Sequence, residues 1–152
     1  MIHCDLKIAN ICLHRDPDRI LPPKLKIIDF GLSHEMKDGQ AILNHRCGTK
    51  GYMAPEIVNS KEEVDRGGKG ILITSAVDMW AFGVLMYELC VAYFPTRIQP
   101  MFGRRDIPIF SVFPESEWSF RSQNLIDLIV QCLAFEAVMR ISASEALRHC
   151  WF

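Results

Sequence analysis

The stretch His3-Cys4-Asp5-Leu6-Lys7-Ile8-Ala9-Asn10, near the start of the chain, gives the strongest indication of the fold. It brings an aspartate, a lysine and an asparagine together just ahead of the apolar run Ile11-Cys12-Leu13. An ordinary surface loop can carry the same residues, because a short motif taken alone has a high risk of a false match. The interpretation of Asp5, Lys7 and Asn10 therefore depends on the motifs that follow.

Two further motifs come next, in a fixed order. Asp29-Phe30-Gly31 directly follows the apolar run Leu25-Lys26-Ile27-Ile28, and Ala54-Pro55-Glu56 is preceded by Gly48-Thr49. Together the three motifs resemble the catalytic loop, the metal-binding D-F-G and the A-P-E of the protein kinase family. A lysine two residues after the loop aspartate is typical of Ser/Thr kinases, and residues 27–33 are similar to the calcium/calmodulin-dependent group.

The resemblance continues to the end of the chain. The run Asp78-Met79-Trp80-Ala81-Phe82-Gly83 resembles the start of the family's central buried helix, and residues 147–152 resemble its closing helix. Arg140 stands where kinases keep an arginine that pairs with the A-P-E glutamate, here Glu56. We therefore predict one partial kinase domain over residues 1–152, from the catalytic loop to the final helix of the C-terminal lobe.

The fold class that this resemblance implies is a mainly α kinase C-terminal lobe with a small β-hairpin and with the N-terminal lobe absent. The apolar runs 11–13 and 25–28, separated by Asp16-Pro17-Asp18 and Pro22-Pro23, predict the hairpin. The aperiodic stretch 31–51 indicates an irregular loop. Apolar residues over 77–91 and at helical spacing over 125–133 predict two buried or half-buried helices.

Local signals predict where the helices begin. Ser75-Ala76-Val77-Asp78 and Ser142-Ala143-Ser144-Glu145 both have the spacing of a capping box, in which serine and acid satisfy amides of the first turn. The second box is expected to open a short last helix that ends near His149. The Gly-rich stretch 66–70 is interpreted as an inserted surface loop, whereas the Pro-interrupted stretch 95–113 gives no assignment.

The resemblance implies a role for each motif residue in phosphoryl transfer, which requires positioning and charge neutralisation. Asp5 would accept the proton of the substrate hydroxyl, and Lys7 would reach the transferred phosphate of ATP. Asn10 and Asp29 would bind Mg²⁺, since hard cations prefer oxygen ligands. Thr49 would hydrogen-bond near Asp5 and Lys7, which also favours Ser/Thr specificity. The cofactors implied are therefore ATP and Mg²⁺.

Other residues are given structural roles. Glu56 and Arg140 are expected to form a buried ion pair, whose disruption would leave an uncompensated charge. Asp78 is interpreted as a helix cap and as an anchor for the catalytic-loop backbone. His3 is expected to be a packed loop histidine rather than a base or a ligand.

Composition excludes several other classes. The net charge of the 152 residues is -1, so no basic surface points to nucleic acid or to an anionic membrane. The longest apolar stretch, 79–94, contains Glu88 and Gly83 and falls short of the roughly 20 residues of a membrane span. The six cysteines form no C-x-x-C pair, so the sequence suggests neither a zinc site nor a redox motif. We expect a cytoplasmic protein, with the nucleus as the alternative.

The sequence departs from the family pattern in two respects. No Gly-rich phosphate loop or strand lysine precedes the catalytic loop, so we expect the natural product to be longer, with the missing N-terminal lobe as a partner beside protein substrates. Cys4 replaces the arginine that normally pairs with a phosphorylated activation loop, and Ser33 is the one hydroxyl between Asp29 and Cys47. Activation by phosphorylation in that loop is therefore not expected.

The function predicted for the full-length parent is transfer of the ATP γ-phosphate to Ser/Thr hydroxyls of proteins, with the isolated fragment inactive. The alternative is a non-catalytic, pseudokinase-like binding module, if the chain is complete as given. Asp5, Asn10 and Asp29 argue against this alternative, because a pure scaffold has no physical need for all three. A phosphate-handling enzyme of another fold, such as a P-loop ATPase, is discounted because G-x-x-x-x-G-K-[ST] is absent.

Overall fold

A computed structural model describes residues 1–15, 22–60, 70–93, 95, 101, 102, 104, 106, 107 and 109–152. The expected turn at 16–18 lies outside these residues, as does the expected inserted loop at 66–70 except for Gly70. Helices account for most of the regular structure in the described part, together with two small sheets.

The hairpin expected after residues 3–10, the segment that resembles a kinase catalytic loop and is called by that name below, is confirmed. Strand β1 (Ile11–His14) pairs antiparallel with strand β2 (Lys24–Ile27), and Ile11 lies opposite Ile27. A 3-10 turn over Ile8–Asn10 leads into β1. The hairpin therefore connects the catalytic loop to the segment that carries the D-F-G motif.

A second two-stranded sheet was not expected. Strand β3 (Ala41–Leu43) pairs antiparallel with strand β4 (Ile71–Ile73), and β3 falls within the stretch that was predicted to be an irregular loop. In each strand the first and third residues are buried and the middle one is exposed. The prediction of an irregular loop over 31–51 was therefore wrong at β3, where burial of one face against the core favours pairing. The same stretch also begins with a 3-10 turn, Phe30–Leu32.

The central element is the buried helix predicted from the apolar run. Helix α1 is the short turn Pro55–Val58, and helix α2 runs from Ala76 to Val91 with buried residues on nearly all sides. Helix α2 ends where Ala92 takes a left-handed conformation, with φ of 61°. Helices α3 (Ile109–Val112) and α4 (Glu115–Trp118) fall in and after the Pro-interrupted stretch, for which the sequence gives no assignment.

The second predicted helix packs against the first. Helix α5 spans Gln123–Cys132 and buries Leu128 and Ile129 completely. A Cβ atom at Gly83 of α2 would lie 2.8 Å from the Cβ of Cys132, so the two backbones approach as closely as a glycine permits. Helices α2 and α5 therefore pack directly against each other in the core of the described structure.

Of the two predicted capping boxes, one is confirmed. The Ser142 side chain accepts from the amide of Glu145, whose carboxylate accepts from the Ser142 amide, at the start of helix α6 (Ala143–Ala146). Helix α6 ends before the expected His149, although amide bonds in turns continue to that residue.

The prediction of a capping box at Ser75 was wrong. Ser75 makes no side-chain cap bond, and the hydroxyl of Thr74 accepts from the Ala76 amide instead. The carboxylate of Asp78 is unavailable for a cap, because it accepts two hydrogen bonds from the catalytic loop.

Among the described residues, no helix combines the length and apolar character needed to cross a lipid bilayer.

Candidate active site

The first turn of α2 holds the catalytic loop by its backbone. One carboxylate oxygen of Asp78 accepts from the His3 amide at 2.7 Å, and the other accepts from the Cys4 amide at 2.9 Å. Burial raises the pKa of Asp78, and these two amide bonds partly offset that rise. Cys4 has a φ of 65°, a conformation that a non-glycine residue adopts when its surroundings over-determine it. The Asp78 carboxylate is therefore the fixed point from which the loop is built.

His3 is a packed loop residue with both ring nitrogens engaged. Its Nε2 lies 3.0 Å from the Ile28 carbonyl oxygen, and its Nδ1 accepts from the Asp5 amide at 3.2 Å. The ring also packs on Phe30, with centroids 4.9 Å apart. His3 therefore links the catalytic loop to the D-F-G segment through a fixed tautomer.

Three of the site residues predicted from the sequence contact the carboxylate of a fourth, Asp5. Oδ1 of Asp5 accepts from the Thr49 amide at 2.8 Å and from the Thr49 hydroxyl at 2.6 Å. Oδ2 accepts from Lys7 Nζ at 2.8 Å and lies 3.3 Å from the side-chain nitrogen of Asn10. Lys7 also donates to the Thr49 hydroxyl at 2.8 Å, which closes a three-membered network. The Asp5 carboxylate is thus oriented from both sides.

The electrostatics of this network keep Asp5 ionised. Burial by itself would raise the pKa of Asp5, but hydrogen bonds from Lys7 and Thr49 and the charge of Lys7 outweigh it, so that the pKa lies below its usual value. The Asp5 side chain is 8% exposed, whereas that of Lys7 is 25% exposed. An oriented carboxylate beside a partly exposed ammonium is an arrangement that can accept a proton and neutralise an anion.

The approach of Thr49 to Asp5 depends on the preceding glycine. Gly48 has a φ of 108°, and a Cβ atom there would lie 2.6 Å from the carbonyl oxygen of Cys4. Any other residue would force the two segments apart, so Gly48 sets how closely Thr49 approaches the catalytic loop.

A backbone hydrogen bond links Asn10 to Ile28, the residue before Asp29. The Asn10 side-chain nitrogen donates to the Asp5 carbonyl oxygen at 2.9 Å, and the Asn10 backbone carbonyl accepts from the Ile28 amide at 2.9 Å. Asp29 follows Ile28 in a left-handed conformation, with φ of 62°, and is exposed. With its nitrogen engaged on Asp5, Asn10 can present its side-chain oxygen to a ligand. An amide oxygen and an exposed carboxylate fit the oxygen donor set that Mg²⁺ prefers.

Glu56 and Arg140 form an ion pair far from the catalytic loop in sequence. Arg140 donates to the two carboxylate oxygens of Glu56 at 2.8 and 3.1 Å. The Arg140 side chain is fully buried, and its guanidinium lies over the Trp80 ring at 5.2 Å. The bidentate geometry ties α1 to the segment before α6, which supports a structural role for both residues.

Sequence reasoning missed one cluster beside this site. Ligand atoms of Cys4, His34 and Cys47 all lie within 4.8 Å of one another. The spacing of the three residues along the chain matches no known metal motif, and the one signal in the sequence is Cys4 itself, at the position usually occupied by arginine.

Comparison with known proteins gives a consistent result. The chain matches the family model of the protein kinase domain over residues 1–152. It is 33% identical over 159 residues to the phosphorylase b kinase gamma catalytic chain, liver/testis isoform, of Bos taurus, with 100% of this chain and 35% of the relative covered. It is 35% identical over 156 residues to the calcium/calmodulin-dependent protein kinase cmkB of Emericella nidulans, with 99% of this chain and 35% of the relative covered.

A third relative, calcium-dependent protein kinase 3 of Plasmodium berghei, is 33% identical over 162 residues, with 97% of this chain and 26% of the relative covered. The chain thus spans about a third or less of the length of these relatives. Since the family model spans every residue of the sequence, the chain belongs to the protein kinase family.

Proposed function

We propose that this chain is the C-terminal lobe of a protein Ser/Thr kinase and carries the catalytic residues of the parent protein. The observation that carries the proposal is the network in which Asp5 is held by Lys7, Thr49 and Asn10. A scaffold has no physical need to desolvate a carboxylate and surround it with four directed hydrogen bonds.

The role proposed for Asp5 is to accept the proton of a Ser or Thr hydroxyl as it attacks the γ-phosphate. A positioned general base contributes about 10²–10⁴-fold in rate. The lowered pKa of Asp5 keeps the carboxylate ionised near neutral pH, which is the state that accepts a proton. Lys7 Nζ, beside Asp5, would be the group that neutralises charge on the transferred phosphate.

The cofactor role proposed for Asn10 and Asp29 follows from the side-chain oxygen atoms that they offer to a metal ion. Asn10 and Asp29 would hold Mg²⁺, and the ion would neutralise phosphate charge when bound with ATP. Asn10 is buried and held by two contacts with Asp5, so its orientation does not depend on a ligand. Asp29, at the exposed end of the hairpin, is available to a nucleotide arriving from solvent.

A second lobe is the partner proposed for the exposed apolar surface of the hairpin. Leu13 and Leu25 lie opposite each other in the sheet and are 70% and 71% exposed. Ile28 and Phe30, beside Asp29, are also exposed. Exposed apolar side chains on the hairpin and beside Asp29 are typical of a surface that another domain covers.

The same surface carries the second candidate function, a non-catalytic module that binds a partner protein through its hairpin. The two functions differ in what they require of Asp5. Phosphoryl transfer requires its carboxylate, whereas docking through Leu13 and Leu25 does not involve that group.

The test is phosphoryl transfer from radiolabelled ATP to Ser-, Thr- and Tyr-containing peptides by the natural full-length protein that contains this chain. We expect Ser and Thr labelling that requires Mg²⁺ and that falls about 10²–10⁴-fold in Asp5→Asn. The matched control is Asp38→Asn, in an exposed turn, where activity should be unchanged. Equal activity of Asp5→Asn and the wild type would refute the role of Asp5. Absence of any labelling by a natural protein that folds would favour the binding module.

The native mass identifies which protein to assay. An immunoblot with a reagent against this chain gives the mass of the natural product, which we expect to exceed 17.4 kDa. Cytoplasmic localisation, with the nucleus as the alternative, remains a prediction that the same reagent tests by cell fractionation.

A further inference from the structure

Three side chains from three separate segments converge beside the catalytic loop. Cys4 belongs to that loop, His34 follows the D-F-G motif, and Cys47 precedes Gly48 and Thr49. Their ligand atoms lie within 4.8 Å of one another, and Cys4 Sγ is 3.9 Å from His34 Nδ1. We propose that Cys4, His34 and Cys47 form a binding site for a thiophilic divalent cation, most suitably Zn²⁺.

The distance between Cys4 Sγ and His34 Nδ1 is close to the one expected around a bound Zn²⁺ ion. Zn–S bonds of about 2.3 Å and Zn–N bonds of about 2.0–2.1 Å in tetrahedral geometry place two sulfurs about 3.8 Å apart and sulfur and nitrogen about 3.6 Å apart. The observed 3.9 Å between Cys4 Sγ and His34 Nδ1 is within a few tenths of an ångström of that value. All three atoms therefore reach a common ion through side-chain adjustment of about 1 Å or less.

The donor set selects the metal. Two thiolates and one imidazole are soft to borderline ligands, which favour Zn²⁺ over the Mg²⁺ proposed for Asn10 and Asp29. Three protein ligands leave a fourth position for water, as in zinc sites with two cysteines and one histidine. Binding releases the two thiol protons to the solvent, because the ligands are thiolates.

The surroundings position the ligands and favour a cation. Cys4 and Cys47 are buried, so water does not compete with a metal ion for either thiol. His34 is held against the start of the chain by two backbone bonds with Ile2, each of 2.8 Å. Asp5 is the next residue after Cys4, and the Asp78 carboxylate accepts from the Cys4 amide at 2.9 Å, so negative charge lies near the site and favours a divalent ion.

The histidine must exchange one contact on binding. His34 Nδ1 lies 3.0 Å from the Leu32 carbonyl oxygen, to which it donates when it carries a proton. Metal binding at Nδ1 moves that proton to Nε2 and leaves the carbonyl to water, which can reach it because Leu32 is exposed. The loss is a single solvent-replaceable hydrogen bond, whereas the gain is three metal–ligand bonds.

The consequence for the site is a cross-link between the catalytic loop and the segment after the D-F-G motif. Cys4 directly precedes Asp5, and Cys47 is two residues before Thr49. A metal ion on these cysteines would hold Thr49 on Asp5 without a phosphorylated residue in the loop. The metal site itself rests on the geometry of the three ligands and does not require the proposed kinase activity.

The test is metal binding by the full chain, stripped of metal with a chelator and kept reduced with a phosphine. Titration with Co²⁺ should give thiolate-to-cobalt charge-transfer absorption and the visible bands of a tetrahedral ion, saturating at one ion per chain. Added Zn²⁺ should abolish these bands. The weak spectrum of six-coordinate Co²⁺ at saturation would overturn the proposal.

Variants assign the ligands. Cys47→Ser and His34→Gln should each weaken Zn²⁺ binding at least about 100-fold, since even groups that merely support a ligand contribute about 10–100-fold. The matched controls are Cys12→Ser and His45→Gln, both at exposed positions, which should bind as the wild type does. Binding by His34→Gln equal to that of His45→Gln would refute the site.

A second measurement needs no variant and so does not depend on variant folding. In the wild-type chain, Zn²⁺ should slow alkylation of Cys4 and Cys47, measured by peptide mass spectrometry, and leave the exposed Cys12 and Cys150 unaffected. Equal protection of all four cysteines, or of none, would overturn the assignment.

Discussion

The buried guanidinium of Arg140 offers the sharpest test of what holds this fold together. Arginine has five N–H donors in a planar fork, and five acceptor contacts are present here. Two go to the carboxylate of Glu56, and three go to main-chain carbonyl oxygens of Ala76, Ala134 and Phe135 at 2.7–3.2 Å. Every donor is matched, so removal of the side chain leaves several acceptors unpaired at once.

We expect Arg140→Met to lower the free energy of unfolding by about 3–5 kcal/mol, the cost of removing one partner from a buried ion pair. The Glu56 side chain is 23% exposed, so water relieves part of its charge and moves the ion-pair contribution toward the lower value. The three carbonyls lose their donors as well, at about 1–3 kcal/mol for each one that water does not reach. The loss is a large fraction of the roughly 5–15 kcal/mol by which domains are stable.

The assay is urea unfolding of the full chain followed by circular dichroism, for Arg140→Met, Glu56→Gln and the double variant. Glu56→Gln removes the stranded charge, so the double variant should be less destabilised than the sum of the singles by about 1–2 kcal/mol. Arg104→Met is the matched control. Its ion pair with Asp106 is exposed on both sides, so we expect no measurable change.

Two results would contradict this account of Arg140. If Arg140→Met were no more destabilising than Arg104→Met, the matched donors would contribute nothing beyond a surface pair. If the singles and the double variant were strictly additive, Glu56 and Arg140 would not be coupled, and the destabilisation would come from the carbonyl contacts alone.

Three further predictions concern stability and are measured by the same unfolding assay. Gly83→Ala should destabilise by about 1–3 kcal/mol through the contact with Cys132, which exceeds the helix-propensity gain of about 0.5–1 kcal/mol; an increase in stability would contradict the close packing of α2 on α5. Asp78→Asn should cost about 1–3 kcal/mol, because one of two catalytic-loop amides loses its acceptor, and a neutral result would mean that the loop is anchored elsewhere. Hydrogen bonds from Ser142 hold the pKa of Glu145 below its usual 4.5, so this group stabilises the fold above that pH and the contribution is lost as pH falls through the lower, folded-state pKa. Ser142→Ala should flatten that acid-side dependence, and an unchanged pH profile would contradict the assignment.

The parts of the fold that the sequence predicts are those with a local signal. The run 77–91 is apolar over four helical turns, and the hairpin strands are two apolar runs with Pro17, Pro22 and Pro23 between them in the sequence, so both follow from neighbouring residues alone. The box at Ser142 forms because its serine and glutamate bond to each other and to each other's amides. The Ser75 box does not form, because Asp78 is used by a backbone more than 70 residues away.

The second sheet could not be predicted for a related reason. Strands β3 and β4 have three residues each, so an alternating pattern has no length over which to show itself. Their partners lie about 30 residues apart, and the pairing is fixed by burial of Leu43 and Ile71 rather than by a turn. Such a sheet exists because the core covers one of its faces.

The same distinction separates the two groups of side chains at the candidate site. Asp5, Lys7 and Asn10 lie within six residues of one another, so a motif in the sequence is enough to identify them. Cys4, His34 and Cys47 come together because the catalytic loop is pinned to Asp78 and because Gly48 lets the later segment approach the Cys4 carbonyl oxygen. A glycine and an aspartate that bind no ligand thus determine whether two thiols and an imidazole can meet. The Asp78→Asn variant should therefore weaken Zn²⁺ binding as well as stability, and a loss of stability with unchanged Zn²⁺ affinity would show that the cluster is held by other contacts.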